Sequence, residues 1–377
     1  MEKIKILHTA DIHIGAAESF LGASADARRF ETLITFEKII DLAKSESVDL
    51  IAIAGDLFDS NTIEDRLITA VLTKIADVAP IKVVFSAGNH DPLNAESPFL
   101  NRSLPENLYV LGLRDECITF PDINTRVYGR SFEHNCLDGE ESFTLKTEDS
   151  FINIMVQHGE LKSDLNSDYN AITPKFVKNS GMDYIALGHV HKRTEIGKID
   201  DTRFAYCGCP EGQGFDELDE KGIYIGEIGK NYCDLKFTSV SKRIHIEEKV
   251  DIGDCKDSSE ISVKVLKQLE TAYGDSFKEN LYKIELTGEV PEETEIITTE
   301  ILSRLKNELY FVKLKNSTEL LIDYDTLSKE PTLKGIFVKK MLEKEAEVES
   351  MEEKAIVRKA LSLGLKAFKT EVKYDED

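Results

Sequence analysis

Eight side chains of the kinds that bind metal ions or move protons stand at the ends of five apolar runs. Asp11 and His13 follow KIKILHTA, and Asp56 lies in GDLFD after VDLIAIA. Asn89 and His90 lie in GNHDP after KVVFS, His158 follows FINIMVQ, and His189 and His191 form GHVH after DYIAL. One polar strand tip has an ordinary explanation, because Asp, Asn and Gly build turns and an isolated His is usually a hydrogen-bonded structural residue. Five tips in succession, each bringing His, Asp or Asn, point instead to one shared site. The donors are imidazole, carboxylate and amide oxygen without thiolate, which suits manganese, iron or zinc over copper or an iron–sulfur cluster. A set this large exceeds what one ion takes while leaving room for a substrate, so two divalent ions are implied, with Asp56 midway and able to bridge them. His8 lies just inside the first run, and His134 and His245 fall outside the pattern and are assigned structural roles.

The elements that must position these residues are legible as short Ile-, Val- and Leu-rich strands at 3–10, 48–54, 82–86, 151–157 and 183–187. Helical spacing separates the first three. Phe30, Leu33 and Ile40 are expected on one face of the first helix, and Ile63, Leu67, Val71, Ile75 and Val78 on one face of the second. Alternating strands and helices imply an α/β fold with a parallel or mixed sheet, and ligands of such sheets gather outside the carboxyl ends of the strands, where all five tips converge. The 377 residues accommodate more than one domain. A first domain is expected over 1–242 and a small α/β domain over 243–330, with a helix near 257–273, a strand at 281–288, a helix near 294–307 and a strand at 309–315. A helical segment over 331–377 completes the chain, apolar through Leu333, Ile336, Phe337, Met341, Leu342, Ile356, Val357, Ala360, Leu361, Leu365 and Phe368. Helices this apolar need cover, from their own protein or from a partner.

Composition excludes several classes. Charged residues make up 31% and no apolar run approaches a membrane span, while polar residues interrupt the opening strand at once, so a soluble cytoplasmic protein is expected. The six cysteines show no paired spacing and are read as free thiols, with the Cys207–Gly208–Cys209 triplet as ordinary loop residues. The net charge of -23 runs against nucleic-acid binding, and even residues 331–377 only balance 10 basic against 10 acidic side chains. Phosphate contacts, if any, must then come from a local patch, bound metal or a partner.

The motifs D-x-H, GD, GNHD, H and GHxH in this order resemble the calcineurin-like metallophosphoesterase superfamily over residues 4–230. The resemblance implies a metallophosphoesterase fold of sheet layers flanked by helices, with one metal on Asp11, His13, Asp56 and His191 and the other on Asp56, Asn89, His158 and His189. It sets His90 beside the scissile phosphate as a catalytic residue. The form of GNHD and GDLFD differs from the GDYVDRG and GNHE of Ser/Thr protein phosphatases. GDLFDSN, YCGCPEGQGFDELDEKG at Tyr206–Gly222 and the small second domain resemble the SbcD and YhaO group of DNA repair exonucleases. That group implies a capping second domain, DNA as substrate, C-terminal helices that bind an SMC-like ATPase, and homodimers formed through helices of the phosphoesterase domain. Asp59 stands where archaeal and eukaryotic relatives carry His. It would hold His90 in orientation or close a turn. A phosphodiesterase acting on a small nucleotide is the alternative function.

Overall fold

The computed structural model describes residues 2–136, 145–291 and 294–368; positions 369–377 of the C-terminal segment lie outside these. The chain forms two compact units that do not follow it linearly. The first comprises Met1–Glu248, Asp275–Lys283 and Glu308–Lys313, and the second Lys249–Gly274, Ile284–Asn307 and Leu314–Asp377.

In the first unit, β1 (Lys3–Thr9), α1 (Ala25–Ser45), β2 (Leu50–Ile53), α2 (Asp65–Ala76), β3 (Lys82–Phe85) and β4 (Leu108–Val110) alternate as the hydrophobic pattern requires. They are followed by β5 (Glu116–Phe120), β6 (Thr125–Gly129), β7 (Ile152–His158), β8 (Glu160–Leu161), β9 (Ala171–Ile172), α3 (Pro174–Asn179) and β10 (Tyr184–Gly188). The strands β11 (Gly197–Ile199), β12 (Thr202–Tyr206), β13 (Gly222–Gly229) and β14 (Tyr232–Ser239) finish the unit's sheets. One six-stranded sheet has the order β14-β13-β1-β2-β3-β4, with β1 to β4 parallel and β13 and β14 antiparallel. The other has the order β11-β12-β10-β7-β6-β5, parallel through β12, β10, β7 and β6.

Side-chain alternation decides which face of each strand meets which layer. In β2, Leu50 and Ala52 join Ile152, Ile154, Val156, Tyr184 and Ala186 in a core between the two sheets. Ile51 and Ile53 point the other way, into a core with Phe36, Ile39, Ile40, Leu67, Val71 and Ile75 of α1 and α2. Met155, Ile185 and Leu187 face outward from the second sheet onto Val177 of α3. The result is a sandwich of two mixed sheets with helices outside. The five expected strands are present within one or two residues at each end.

The buried face of α1 differs from the expected one. Phe30 and Leu33 lie at its margin, and the face is made by Arg28, Glu31, Thr32, Thr35, Phe36, Ile39, Ile40 and Ala43. A buried ionic cluster turns the helix. Arg28, 1% exposed, donates to Glu18 Oε1 (2.7 Å), Glu31 Oε2 (3.0 Å), Glu211 Oε2 (2.8 Å) and the Gly212 carbonyl (2.8 Å). Arg243 donates to both oxygens of Glu31 (2.8–3.0 Å) and stacks over Tyr310 at 3.5 Å. His245 is buried with its Nε2 3.4 Å from Glu18 Oε2. Charged residues therefore occupy positions that an apolar template leaves out.

Beyond β14, the strands β15 (His245–Asp251), β16 (Leu281–Thr287) and β18 (Phe311–Asn316) form a three-stranded sheet in the order β15-β16-β18, interleaved in the chain with α4 (Ser258–Tyr273), β17 (Glu289–Val290) and α5 (Thr298–Glu308). Asp257 caps α4, accepting from the Ser259 and Glu260 N–H groups. After β19 (Glu319–Leu320) and α6 (Tyr324–Leu327), α7 (Leu333–Glu347) and α8 (Met351–Ala367) form a helical hairpin. Val338, Leu361 and Leu365 are buried in it with Tyr324, Leu327, Phe337 and Met341 around them. Leu333, Ile336, Met351 and Ile356 stay exposed, by 52–83%. The hairpin thus covers only part of its own apolar surface. Among the described residues no helix is long and apolar enough to cross a membrane, and all six cysteines are free, with Cys207 and Cys209 buried.

Candidate metal centre

Parallel pairing of β1, β2 and β3, and of β7 and β10, brings their carboxyl ends to one edge of the sandwich. The chain must leave each strand sharply there. Asp11 (φ 51°), His13 (φ 48°), Asp56 (φ 50°) and His189 (φ 95°) all adopt the left-handed region, where Asp and His are tolerated better than bulkier residues. Space is as tight as the turns: a Cβ on Gly55 (φ 92°) would sit 2.2 Å from His158 Nδ1, and one on Gly88 2.2 Å from Asp56 Oδ1. The glycines of GD and GNHD are required by the side chains they admit.

The eight tip residues gather. His13 Nε2 faces His191 Nε2 at 3.1 Å and Asp56 Oδ2 at 3.8 Å. His158 Nε2 lies 3.3 Å from Asp56 Oδ2 and 3.0 Å from Asn89 Oδ1, which is also 3.2 Å from His189 Nδ1. Ligand atoms of Asp11, His13 and His191 lie within 4.8 Å of one another, as do those of Asp11, Asp56 and His158, and of His13, Asp56 and His90. Backbone groups hold the set in place. The His189 N–H donates to both Asp11 oxygens (2.9 and 3.1 Å), the His90 N–H to Asp56 Oδ1 (2.9 Å), and His158 Nδ1 to the Ala54 carbonyl (2.8 Å).

Electrostatics fit cations. Asp11 and Asp56 are 0% and 2% exposed, and their ion pairs among the described residues are with imidazoles alone. Burial disfavours a charged His158 imidazole, yet the Asp56 and Asp11 carboxylates outweigh it and push the group up to about 9. Burial likewise opposes charge on His191, and the Glu217 carboxylate overrides it, again to about 9. His189 is pulled down by burial and by the neighbouring His158 charge. For Asp56, burial is outweighed by His158, His13 and His90, which hold its carboxyl below the usual range. Two buried carboxylates, an amide oxygen and two Nε2 atoms facing each other at 3.1 Å form a donor set that a divalent ion satisfies and that protons satisfy only in part.

His90, its side chain 45% exposed, stands at the rim, and its Nδ1 donates to the backbone carbonyl of Asp59 at 3.1 Å. The Asp59 side chain lies closer to His13 Nδ1 (3.4 Å) than to His90 Nδ1 (3.9 Å), and its carboxyl is lowered mainly by the His13 contact. Its main chain therefore orients His90, while its side chain leans on His13.

Four residues of the site escaped the sequence reading. Asp91, fully buried, accepts from the N–H groups of Leu57 (2.8 Å), Phe58 (3.1 Å) and Gly88 (2.9 Å), tying the second and third tips together. Burial and the nearby Asp56 charge push its carboxyl up to about 7. Tyr169 stacks on His189 with ring centres 4.6 Å apart, and Glu160 Oε1 lies 3.8 Å from His189 Nε2. Glu217 touches His191. Asp91 stands inside GNHDP and Glu217 inside the quoted 206–222 segment, so both were in view without a spacing that marked them.

Comparison with known proteins accords with this geometry. Residues 4–193 match the profile described as calcineurin-like phosphoesterase. An uncharacterized metallophosphoesterase of Bacillus subtilis (strain 168), YhaO, is 27% identical over 67% of this chain and 64% of its own. The DNA double-strand break repair protein Mre11 of Methanopyrus kandleri is 26% identical over 59% of this chain and 52% of its own. That of Sulfolobus acidocaldarius is 24% identical over 86% and 88%. The chain thus matches somewhat over half the length of the first two relatives. With five strand tips converging on one donor set and half of the chain matching the profile, this protein belongs to the calcineurin-like phosphoesterase family.

Proposed function

We propose that this chain is a metal-dependent DNA nuclease that hydrolyses phosphodiester bonds at a two-metal site and serves as the nuclease subunit of a complex with an SMC-like ATPase. The observation that supports the reading is the gathering of the strand-tip imidazoles around one buried carboxylate, Asp56, with His13 Nε2 at 3.8 Å and His158 Nε2 at 3.3 Å from its Oδ2. Asp11, His13, Asp56 and His191 would hold one divalent ion, and Asp56, Asn89, His158 and His189 the other, manganese being the expected metal with iron or zinc as substitutes. Such ions would supply Lewis-acid polarisation of the phosphodiester and activation of water near neutral pH.

The protein's own part is orientation and proton transfer. With Nδ1 held by the Asp59 carbonyl, His90 has Nε2 as its free ring nitrogen and, as the imidazolium, protonates the leaving alkoxide. Asp91 keeps the Asp56 and Asn89 loops in register. The DNA assignment draws on the relatives named for double-strand break repair and on the 206–222 segment. The charge of -23 is answered if the ATPase supplies most of the DNA-binding surface. The exposed Leu333, Ile336, Met351 and Ile356 of the α7–α8 hairpin supply apolar side chains for such a partner to cover.

Manganese-dependent degradation of linear DNA, compared with hydrolysis of bis-p-nitrophenyl phosphate and cyclic nucleotides, tests the reading. Digestion of DNA is expected, alone or with the cognate ATPase. Hydrolysis of small diesters with no activity on any DNA, ATPase included, would replace this function with that of a small-nucleotide phosphodiesterase.

A further inference from the structure

Glu217 lies outside the eight strand-tip residues, yet it makes the closest polar contact in the site, between its Oε1 and His191 Nδ1. Its other oxygen accepts from the Gln213 N–H at 2.7 Å and lies 3.6 Å from Cys209 Sγ. Its own N–H donates to the Gly214 carbonyl at 3.1 Å, so the loop that carries Glu217 also fixes its backbone. The carboxylate is 14% exposed and His191 28%, which leaves the pair little freedom to part. The other imidazoles are held differently. His158 Nδ1 is bound by the Ala54 carbonyl, His90 Nδ1 by the Asp59 carbonyl, and His13 Nδ1 has only the looser Asp59 carboxylate, 3.4 Å away. Among the described residues, the His191 ring has the closest carboxylate of the candidate ligands, and Glu217, unlike Asp56, is not itself one of them.

An imidazole with Nδ1–H committed to a carboxylate presents Nε2 in a fixed direction, and once an ion has displaced any proton there the carboxylate makes that nitrogen a stronger donor. His191 Nε2 points to where His13 Nε2 stands, 3.1 Å away, the shared face of the first half-shell. The loop is anchored at its far end as well: Glu211 and the Gly212 carbonyl are gripped by Arg28 of α1. From these contacts we infer that Glu217 is a positioning residue, which orients His191 and raises its donor strength toward the ion on Asp11, His13, Asp56 and His191, and does so for that ion only. The inference rests on the two-metal reading above.

Titration of the metal-free full chain with Mn²⁺, followed by calorimetry and by electron paramagnetic resonance, separates the possibilities. The wild type is expected to bind two ions. In Glu217→Ala one of the two binding events weakens by about 10–100-fold, the range that loss of such a partner usually costs. The other event stays within about threefold, and the thermal midpoint is unchanged. Glu217→Gln, whose amide oxygen still accepts from Nδ1 but carries no charge, recovers part of that loss. Unchanged affinity at both sites in Glu217→Ala would overturn the inference. So would equal weakening at both sites together with a lowered midpoint, since that marks a loop support and not a ligand partner. A wild type that binds no Mn²⁺ would sink the two-metal reading itself, a result distinct from either.

Discussion

Replacing Arg28 by Met keeps most of the buried stem and removes the charge on which three carboxylates converge. Glu31 would retain Arg243 and Lys242, the latter at 3.0 Å, and Glu211 would retain the Thr35 hydroxyl at 2.5 Å and the Lys242 N–H. Among the described residues Glu18 would be left with His245 alone, 3.4 Å away. Breaking a buried ion pair from one side costs about 3–5 kcal/mol, and the surviving partners favour the lower end of that range. At about 2–4 °C per kcal/mol for a unit of this size, the midpoint of thermal unfolding should fall by about 6–12 °C. The loss should depend on pH with a definite sign. A carboxylate stranded in the core has its folded-state pKa raised above the unfolded one, so the folded variant binds more protons and its stability falls as pH rises. The deficit against wild type is therefore expected to be larger at pH 8 than at pH 5. In wild type the Glu31 carboxyl, for which burial is outweighed by Arg243, Lys242 and Arg28, is lowered instead, and its contribution is present above the ordinary Glu range and lost on acidification. Scanning calorimetry of Arg28→Met at both pH values checks this, with Arg28→Met/Glu18→Gln as the second variant. Neutralising the stranded partner should recover part of the loss through coupling of the two sites. A fall of under about 2 °C at pH 8, or a deficit that grows on acidification, would refute the reasoning.

Three further outcomes follow from the site and the hairpin. His90→Asn is expected to abolish turnover while elemental analysis still finds two ions per chain; loss of metal would move His90 from proton transfer to ligation. Because His158 and His191 are both pushed up to about 9, each ion must displace a proton below that pH, so the apparent Mn²⁺ affinity of each site should rise about tenfold per unit between pH 7 and 9. Calorimetry at several pH values measures that slope, and a flat profile would show the imidazoles to be neutral before loading. Truncation before Pro331 removes α7 and α8 and should leave hydrolysis of bis-p-nitrophenyl phosphate intact while abolishing co-purification with the ATPase. An unchanged pull-down would place the partner's surface elsewhere.

The strand tips were legible because a buried parallel strand is a short apolar run whose polar ending is unmistakable, and Asp11, Asp56, His158 and His189 each follow such a run. The second sheet was less so. GKI and TRFAY of β11 and β12 are too short and too mixed to stand out from loop, and only the pairing of β12 with β10 and of β11 with β12 makes them strands. The face of α1 was displaced because hydropathy assigns Arg28 and Glu31 to solvent, and their burial is understood only when Glu211 and Arg243, about 180 and 210 residues later, are seen beside them. Glu217 and Asp91 escaped for a related reason. Their meaning lies in His191 Nδ1 and in the N–H groups of Leu57, Phe58 and Gly88, and a carboxylate inside a polar loop announces neither. The linear boundaries at 242 and 330 could not foresee that 275–283 and 308–313 return to the first unit, since nothing in a local pattern records which strand a segment will join.

The left-handed backbone at Asp11, His13, Asp56 and His189 also bears on how such a protein can change over generations. A side chain in that region costs on the order of 1 kcal/mol or more that glycine does not, so glycine at any of the four positions would relieve backbone strain. While the chemistry is needed, selection for it rejects such substitutions. In a lineage released from the chemistry, substitutions at these positions would meet the least resistance from folding, and the metal shell would erode from its strand tips while the sandwich beneath it persisted. A descendant with the fold intact and glycine at these places would be the trace of an enzyme turned scaffold.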